Sequence, residues 1–291
     1  MKVTSVALWL WAGLTTMTAI ALDSPTPVET QDFDGDFYAA ANADQYGIIV
    51  LTGSAGGKNT FMAKKLSAMG YPVLSLAYFN WDSKTALPNS LELIPLNYLK
   101  KAKEWLMRNP NTRDDGVVVY GVSKGAELAL LLASLDSDYK GVIATAPSAV
   151  VWNGIPQNPG NDYSEVSSSW LFEGEPVDYI QYVHREPFRK EGITMLDWHA
   201  ASIQAADNFA SARIKVEHIK GPLLLFSGGK DTVWPSVQMG NSICAIANLA
   251  NSTNTCKHVI YETAPHLLGD YGPDARLEME RFLKAINKNS H

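Results

Sequence analysis

Gly116-Val117-Val118-Val119-Tyr120-Gly121-Val122-Ser123-Lys124-Gly125-Ala126-Glu127-Leu128-Ala129-Leu130-Leu131-Leu132-Ala133 passes from one kind of secondary structure to another across a single tight turn. The β-branched run before Gly121 reads as a buried strand. The run after Gly125 consists of good helix formers. Between them, Gly121-Val122-Ser123-Lys124-Gly125 fits G-x-S-x-G without a mismatch. Strand, sharp turn and helix are the setting in which that motif lifts a serine hydroxyl clear of a sheet and aims backbone N–H groups at a reacting carbonyl. Ser123 is therefore the candidate nucleophile; the plain alternative is an ordinary turn serine.

Outward from this stretch, strand and helix patterns alternate from Tyr46 onward. Gly47–Leu51, Tyr71–Leu76, Gly141–Ala146, Pro222–Ser227 and His258–Glu262 read as further strands. Leu91–Met107 reads as a long amphipathic helix, with Leu93, Leu96, Leu99, Ala102 and Leu106 on one side, and Ala275–Asn287 as a closing helix. This alternation predicts an α/β fold with a mostly parallel sheet and helices on both faces. The rhythm breaks over residues 147–208, which hold Trp152, Trp170 and Trp198 among scattered Pro, Gly, Asn and Ser. A cap inserted after the fourth strand is expected there, with Trp152, Trp170, Leu171, Phe172 and Trp198 lining an apolar cleft for an acyl chain. The plainer reading is a surface excursion with its own small core. Residues 22–45 are polar and acidic and read as a linker or arm, which leaves 46–288 as one catalytic domain.

The chain has 291 residues and a formal charge of −6, which argues against a general nucleic-acid binder. Lys2 precedes an apolar run from Val3 to Leu22, and Ala19-Ile20-Ala21 has the small-x-small pattern of a cleavage site. Residues 1–21 are expected to be a signal peptide of an exported protein, with no membrane span after cleavage; an uncleaved anchor is the alternative. In an oxidising compartment the two cysteines, Cys244 and Cys256, are expected to pair. No C-x-x-C or His-rich spacing points to a metal, and no cofactor is expected.

A serine hydroxyl needs an adjacent base, here sought in the order Ser, acid, His. Of six histidines, His266 follows the last strand in Glu262-Thr263-Ala264-Pro265-His266-Leu267, where a loop can carry an imidazole over the elbow. His184 and His199 fall in the cap region, and His218 and His258 precede or begin strands. The acid should follow the preceding strand, and Gly228-Gly229-Lys230-Asp231 brings Asp231 out of its C-terminal edge; a turn or N-cap aspartate is the alternative role. For an oxyanion hole, one N–H should come from Lys124 and the other from the loop Gly53-Ser54-Ala55-Gly56-Gly57, with Ala55 the first choice and Ser54 its neighbour. A phosphate-binding reading of this loop fails, because Gly57-Lys58 is followed by Asn59.

The run Gly121–Leu130 closely resembles the catalytic domain of the acyl-CoA thioesterase and bile acid-CoA:amino acid N-acyltransferase family. So do Leu51–Gly57, Leu91–Leu106 and Gly221–Phe226 with Gly228, Gly229 and Asp231, and the likeness covers roughly Tyr46 to Leu283. The resemblance implies an α/β-hydrolase fold and a triad of Ser123, Asp231 and His266. It also implies a small-molecule acyl thioester or ester as substrate. Serine stands where the aminoacyl-transferring members use cysteine, which favours water as the acyl acceptor. The expected activity is hydrolysis of thioesters or esters; transfer to an amine or alcohol, or a non-catalytic secreted binding protein on the same fold, are the alternatives.

Overall fold

The computed structural model describes residues 24–40, 44–82, 86–157, 163–250 and 255–288. The segment expected as a signal peptide lies outside the described residues. Among those described, no helix is long and apolar enough to cross a membrane.

The chain forms strands β1 (Thr26–Pro27), β2 (Asp34–Tyr38), β3 (Gly47–Leu51), β4 (Val73–Ala77), β5 (Ile94–Pro95), β6 (Val117–Val122), β7 (Tyr139–Thr145), β8 (Trp170–Phe172), β9 (Glu175–Pro176), β10 (Leu223–Gly228) and β11 (Cys256–Tyr261). Its α-helices are α1 (Thr60–Ala68), α2 (Leu96–Met107), α3 (Lys124–Leu135), α4 (Met195–Ala205), α5 (Phe209–Ala212), α6 (Ser236–Ala250) and α7 (Gly272–Lys288). Among the described residues, eight strands make the central sheet in the order β1-β2-β4-β3-β6-β7-β10-β11. From β4 to β11 neighbouring strands run parallel, with Ile49 opposite both Leu74 and Val119, and Leu225 opposite Ala144 and His258.

Side chains alternate across this sheet because successive residues of a strand point to opposite faces. Ile49, Leu51, Val117, Val119 and Leu225 face α2, α3 and α6. Ile48, Val50, Val118, Tyr120 and Leu224 face α1 and α7, meeting Leu66, Met279 and Leu283. Burial on both faces explains the unbroken apolar runs of β3 and β6.

Two elements differ from the sequence reading. Residues 22–45 hold β1 and β2, and β2 pairs antiparallel with β4, Asp36 opposite Ser75. Phe33, Gly35 and Phe37 share one side of this segment. Phe33 and Phe37 are buried and pack edge-on against Trp105 at 5.9 and 5.5 Å. Asp34 and Asp36 both reach Lys58 Nζ at 2.7 Å. The acidic residues therefore mark the polar side of an edge strand. Second, α2 begins at Leu96 rather than Leu91. Pro95 biases Ile94 towards extended backbone, and Ile94–Pro95 pair with Trp170–Leu171 as a parallel ladder.

Residues 147–208 carry β8, β9 and α4 over one end of the sheet, and a three-stranded ladder β5-β8-β9 fastens them to the segment before α2. Cys244 of α6 and Cys256 of β11 are disulfide-bonded, their Cα atoms 5.0 Å apart. Closing so short a loop contributes about 3 kcal/mol in the chain-entropy account.

Candidate active site

Ser123 sits between the last residue of β6 and the first of α3, with φ 56° and ψ −121°. A non-glycine residue with positive φ costs on the order of 1–3 kcal/mol and persists only where its surroundings enforce it. Here the Ser123 N–H donates to Thr145 O at 2.9 Å, and the Ser123 carbonyl accepts from Ala126 N and Glu127 N at 2.8 and 3.1 Å. Helix α3 comes so close to the end of β3 that a Cβ on Gly125 would lie 2.1 Å from Thr52 O. Only glycine allows that approach.

Asp231 leaves the end of β10 and His266 the loop after β11. Their two segments are bound to each other, Gly229 N to Tyr261 O at 2.9 Å and Lys230 N to Ala264 O at 3.0 Å. His266 Nε2 lies 2.9 Å from Ser123 Oγ, and His266 Nδ1 lies 2.8 Å from Asp231 Oδ2. Ser123 and Asp231 are buried, and His266 is partly open to solvent. Asp231 Oδ2 also accepts from Ser236 Oγ at 2.6 Å, and Oδ1 from Val233 N and Trp234 N at 2.8 and 3.3 Å. Burial pushes the Asp231 carboxyl up, but the His266 hydrogen bond and charge, with the Ser236 and Val233 donors, outweigh it and hold it below the usual aspartate range. A carboxylate so held is an acceptor that orients the imidazole beside it.

The loop after β3 lies beside the serine. A Cβ on Gly53 would be 3.1 Å from Ser123 Cβ. Gly56 N closes a turn onto Gly53 O at 3.3 Å, and Trp81 Nε1 donates to Ser54 O at 2.9 Å. Lys124 is the first residue of α3, where an N–H has no carbonyl partner within the helix, and Ala55 lies in the loop after β3. Their N–H groups are the candidate donors to a developing oxyanion.

The remaining histidines lie elsewhere. His199 is buried in an aromatic nest, with Nδ1 at 2.8 Å from Met195 O and Nε2 at 3.2 Å from Tyr182 OH. Burial pulls its pKa down to about 4. His258 Nε2 meets Ser227 Oγ at 2.8 Å, and burial lowers its pKa to about 4 as well. No group of three or more His, Cys, Asp or Glu side chains arranged to hold a metal occurs among the described residues.

The cap aromatics do not form the open lining expected of them. Trp152, Trp170 and Trp198 are at most 1 % exposed. Trp152 stacks on Tyr182 at 5.2 Å and on Trp234 at 6.4 Å, and Tyr182 stacks on Trp198 at 4.3 Å. Their apolar area is spent joining the cap to the core, where indole and phenol faces exclude water from one another. Phe172, more exposed, lines a 450 Å³ cavity with Leu132 and Leu135, at the far end of α3 from Ser123.

Three contributors were not found by sequence reasoning. Ser236, five residues after Asp231, supports the acid, and the Pro235-Ser236 start of a helix was the available signal. Trp234 places its ring edge-on to His266 at 5.6 Å. Glu127 pairs with the Lys124 side chain at 2.7 Å beneath the elbow; nothing local distinguishes it from a surface helix glutamate.

A mostly parallel sheet with a strained serine elbow, an acid after one strand and a histidine after the last defines the α/β-hydrolase fold. Solved structures of that class align over most of the chain. Est1E from Butyrivibrio proteoclasticus has a TM-score of 0.55 at 13% identity, over 90% of this chain and 98% of that one. A dienelactone hydrolase from Anabaena variabilis has a TM-score of 0.54 at 16% identity, over 90% and 97%. Within this class the chain belongs to the BAAT / acyl-CoA thioester hydrolase C-terminal family, whose model matches residues 94–286. Human acyl-coenzyme A thioesterase 1 is 30% identical over 201 residues, which are 68% of this chain and 43% of the relative. Mouse bile acid-CoA:amino acid N-acyltransferase is 34% identical over 131 residues, 42% of this chain and 30% of the relative. The chain thus spans less than half the length of these relatives.

Proposed function

We propose that the protein is a serine hydrolase of acyl thioesters or esters. The observation that carries this reading is the continuous chain Ser123 Oγ, His266, Asp231, with links of 2.9 and 2.8 Å, set on a strained elbow. Ser123 attacks the acyl carbonyl as His266 Nε2 takes its proton, and the positive imidazolium is stabilised by Asp231. Negative charge gathers on the carbonyl oxygen, where the Lys124 and Ala55 N–H groups receive it. The tetrahedral intermediate collapses, the proton on His266 goes to the leaving thiolate or alkoxide, and an acyl-Ser123 ester remains. Water, deprotonated by His266, attacks that ester and returns the free acid and the serine.

The thioesterase names among the relatives support a thioester substrate, and the esterase-like fold supports an ester. The N-acyltransferase relative supports one second reading, in which an amine replaces water in the last step.

A panel of acyl-CoA, acyl-pantetheine and p-nitrophenyl esters of several chain lengths tests the substrate, with and without an amino acid acceptor. The expected result is free acid as the product, and similar kcat/KM for matched CoA and pantetheine thioesters. A large preference for the full nucleotide thioester would establish a coenzyme A site; N-acyl amino acid as the main product would replace hydrolysis by transfer.

A further inference from the structure

Directly below the elbow lies a buried ion pair that the triad does not use. Lys124 and Glu127 are 2 % and 0 % exposed. Lys124 Nζ donates to Glu127 Oε1 and Oε2 at 2.8 and 2.7 Å. Glu127 Oε1 also accepts from Trp170 Nε1 at 2.7 Å and from Trp152 N at 3.3 Å, both in the cap. Taking two ions out of water costs several kcal/mol for each, and apolar residues of similar volume are commonly as stable or more so. Burial pushes the Glu127 carboxyl up and the Lys124 ammonium down, so each depends on its partners to stay charged. Stability alone does not account for such a pair at this place.

Its connections do. In the mechanism proposed above Lys124 supplies one of the two oxyanion N–H groups, and its side chain is pinned by Glu127 one turn along α3. The second connection runs through the cap. The Trp170 ring, held at its Nε1 by Glu127, packs against the Tyr78 ring at 5.7 Å. Tyr78 OH donates to Thr52 O at 2.7 Å, within the protein interior. Thr52 leads straight into Gly53-Ser54-Ala55, and the same Thr52 carbonyl is the atom against which Gly125 of α3 is closed. Both segments that carry oxyanion donors, one from α3 and one from the loop after β3, are thereby referred to a single carboxylate.

We propose that Glu127 is a positioning residue that fixes the spacing of the two oxyanion donors by tying the cap tryptophans, the Lys124 side chain and the Tyr78–Thr52 contact to one buried point. This rests on the serine-hydrolase reading above. A displacement of about 1 Å at such a site costs up to roughly 100-fold in rate, and loss of one oxyanion donor costs about 100- to 1,000-fold. The carboxylate touches no reacting atom, so its effect belongs in kcat rather than in KM.

Two variants test this with whichever ester or thioester the wild type hydrolyses. Glu127→Gln keeps an acceptor for Trp170 and Trp152 but leaves the Lys124 ammonium without its counter-ion. Lys124→Met/Glu127→Leu removes both charges and the cap tether together; it relieves the burial of two ions but leaves Trp170 Nε1 and the Trp152 N–H without their acceptor, so its Tm is measured beside its rate. Both are expected to lower kcat roughly 10- to 100-fold with KM within about twofold, while Ser123 still takes a fluorophosphonate label. Recovery of wild-type kcat in the double variant together with its Tm would overturn the proposal, since a structural pair is then all that was lost. So would a rise in KM at unchanged kcat, which would assign the pair to the substrate cleft, or loss of the fold in both variants. A wild type that neither hydrolyses nor labels would instead overturn the serine-hydrolase reading.

Discussion

His199 and His266 show how environment alone separates two imidazoles. His266 stands between the Asp231 carboxylate and the Ser123 hydroxyl, partly open to solvent. His199 is boxed by Trp152, Trp198, Trp234 and Tyr182, with ring centroids 4.8–5.8 Å away. Burial lowers its pKa to about 4 from 6.5. The unfolded chain therefore binds a proton at His199 between these values that the folded one does not. Stability from this group is fully present above pH 6.5 and is lost as pH falls towards 4. The loss is on the order of 3 kcal/mol for the residue. Urea unfolding measured across that range should give a midpoint that falls on acidification, and His199→Gln should flatten the fall. An unchanged pH slope in the variant would mean that His199 is already charged in the folded protein. Ser123, Asp231 and His266 could be picked out as candidates because each comes at or within a few residues of the end of a strand run, and their polar atoms lie within hydrogen-bond distance of one another. Glu127 could not be, because Trp170, which reveals its role, is 43 residues away and arrives only by tertiary packing.

At the scale of elements, the elbow depends on how closely α3 approaches the end of β3. Gly125→Ala places a methyl 2.1 Å from Thr52 O, a contact that backbone must relieve. The variant should lose stability by about 1–3 kcal/mol and kcat/KM by about 100-fold, since Ser123, Lys124 and the Ala55 loop separate together. Denaturant midpoints and steady-state rates check this, and a wild-type rate in Gly125→Ala would contradict the packing described. The long buried strands were readable from their apolar runs. The edge strand β2 was not, because Asp34 and Asp36 disguised a period-two pattern that Phe33 and Phe37 carry. The true start of α2 was hidden for a different reason. Apolar residues continue through Leu91–Ile94 at helical spacing, but their backbone is claimed by pairing with the cap. The cap tryptophans gave a third discrepancy: a count of aromatic residues does not say whether they face a ligand or one another.

At the scale of the whole molecule, the family model covers residues 94–286, while the sheet is completed by β1 to β4 from the preceding chain. We further propose that the protein is exported and cleaved after Ala21. The apolar run Val3–Leu22 and the Cys244–Cys256 disulfide support this. Intact mass of the native protein should start at Leu22 and fall two hydrogens short of the dithiol form; a full-length, reduced chain would refute export. The central claim is that acyl chemistry passes through Ser123. The most direct measurement compares kcat/KM of wild type and Ser123→Ala on the best substrate of the panel, with thermal melts recorded alongside. The account predicts a loss of about 10⁴-fold or more at an unchanged or higher Tm, as triad members act as a unit. A Ser123→Ala protein that keeps more than about a tenth of the wild-type rate would contradict it.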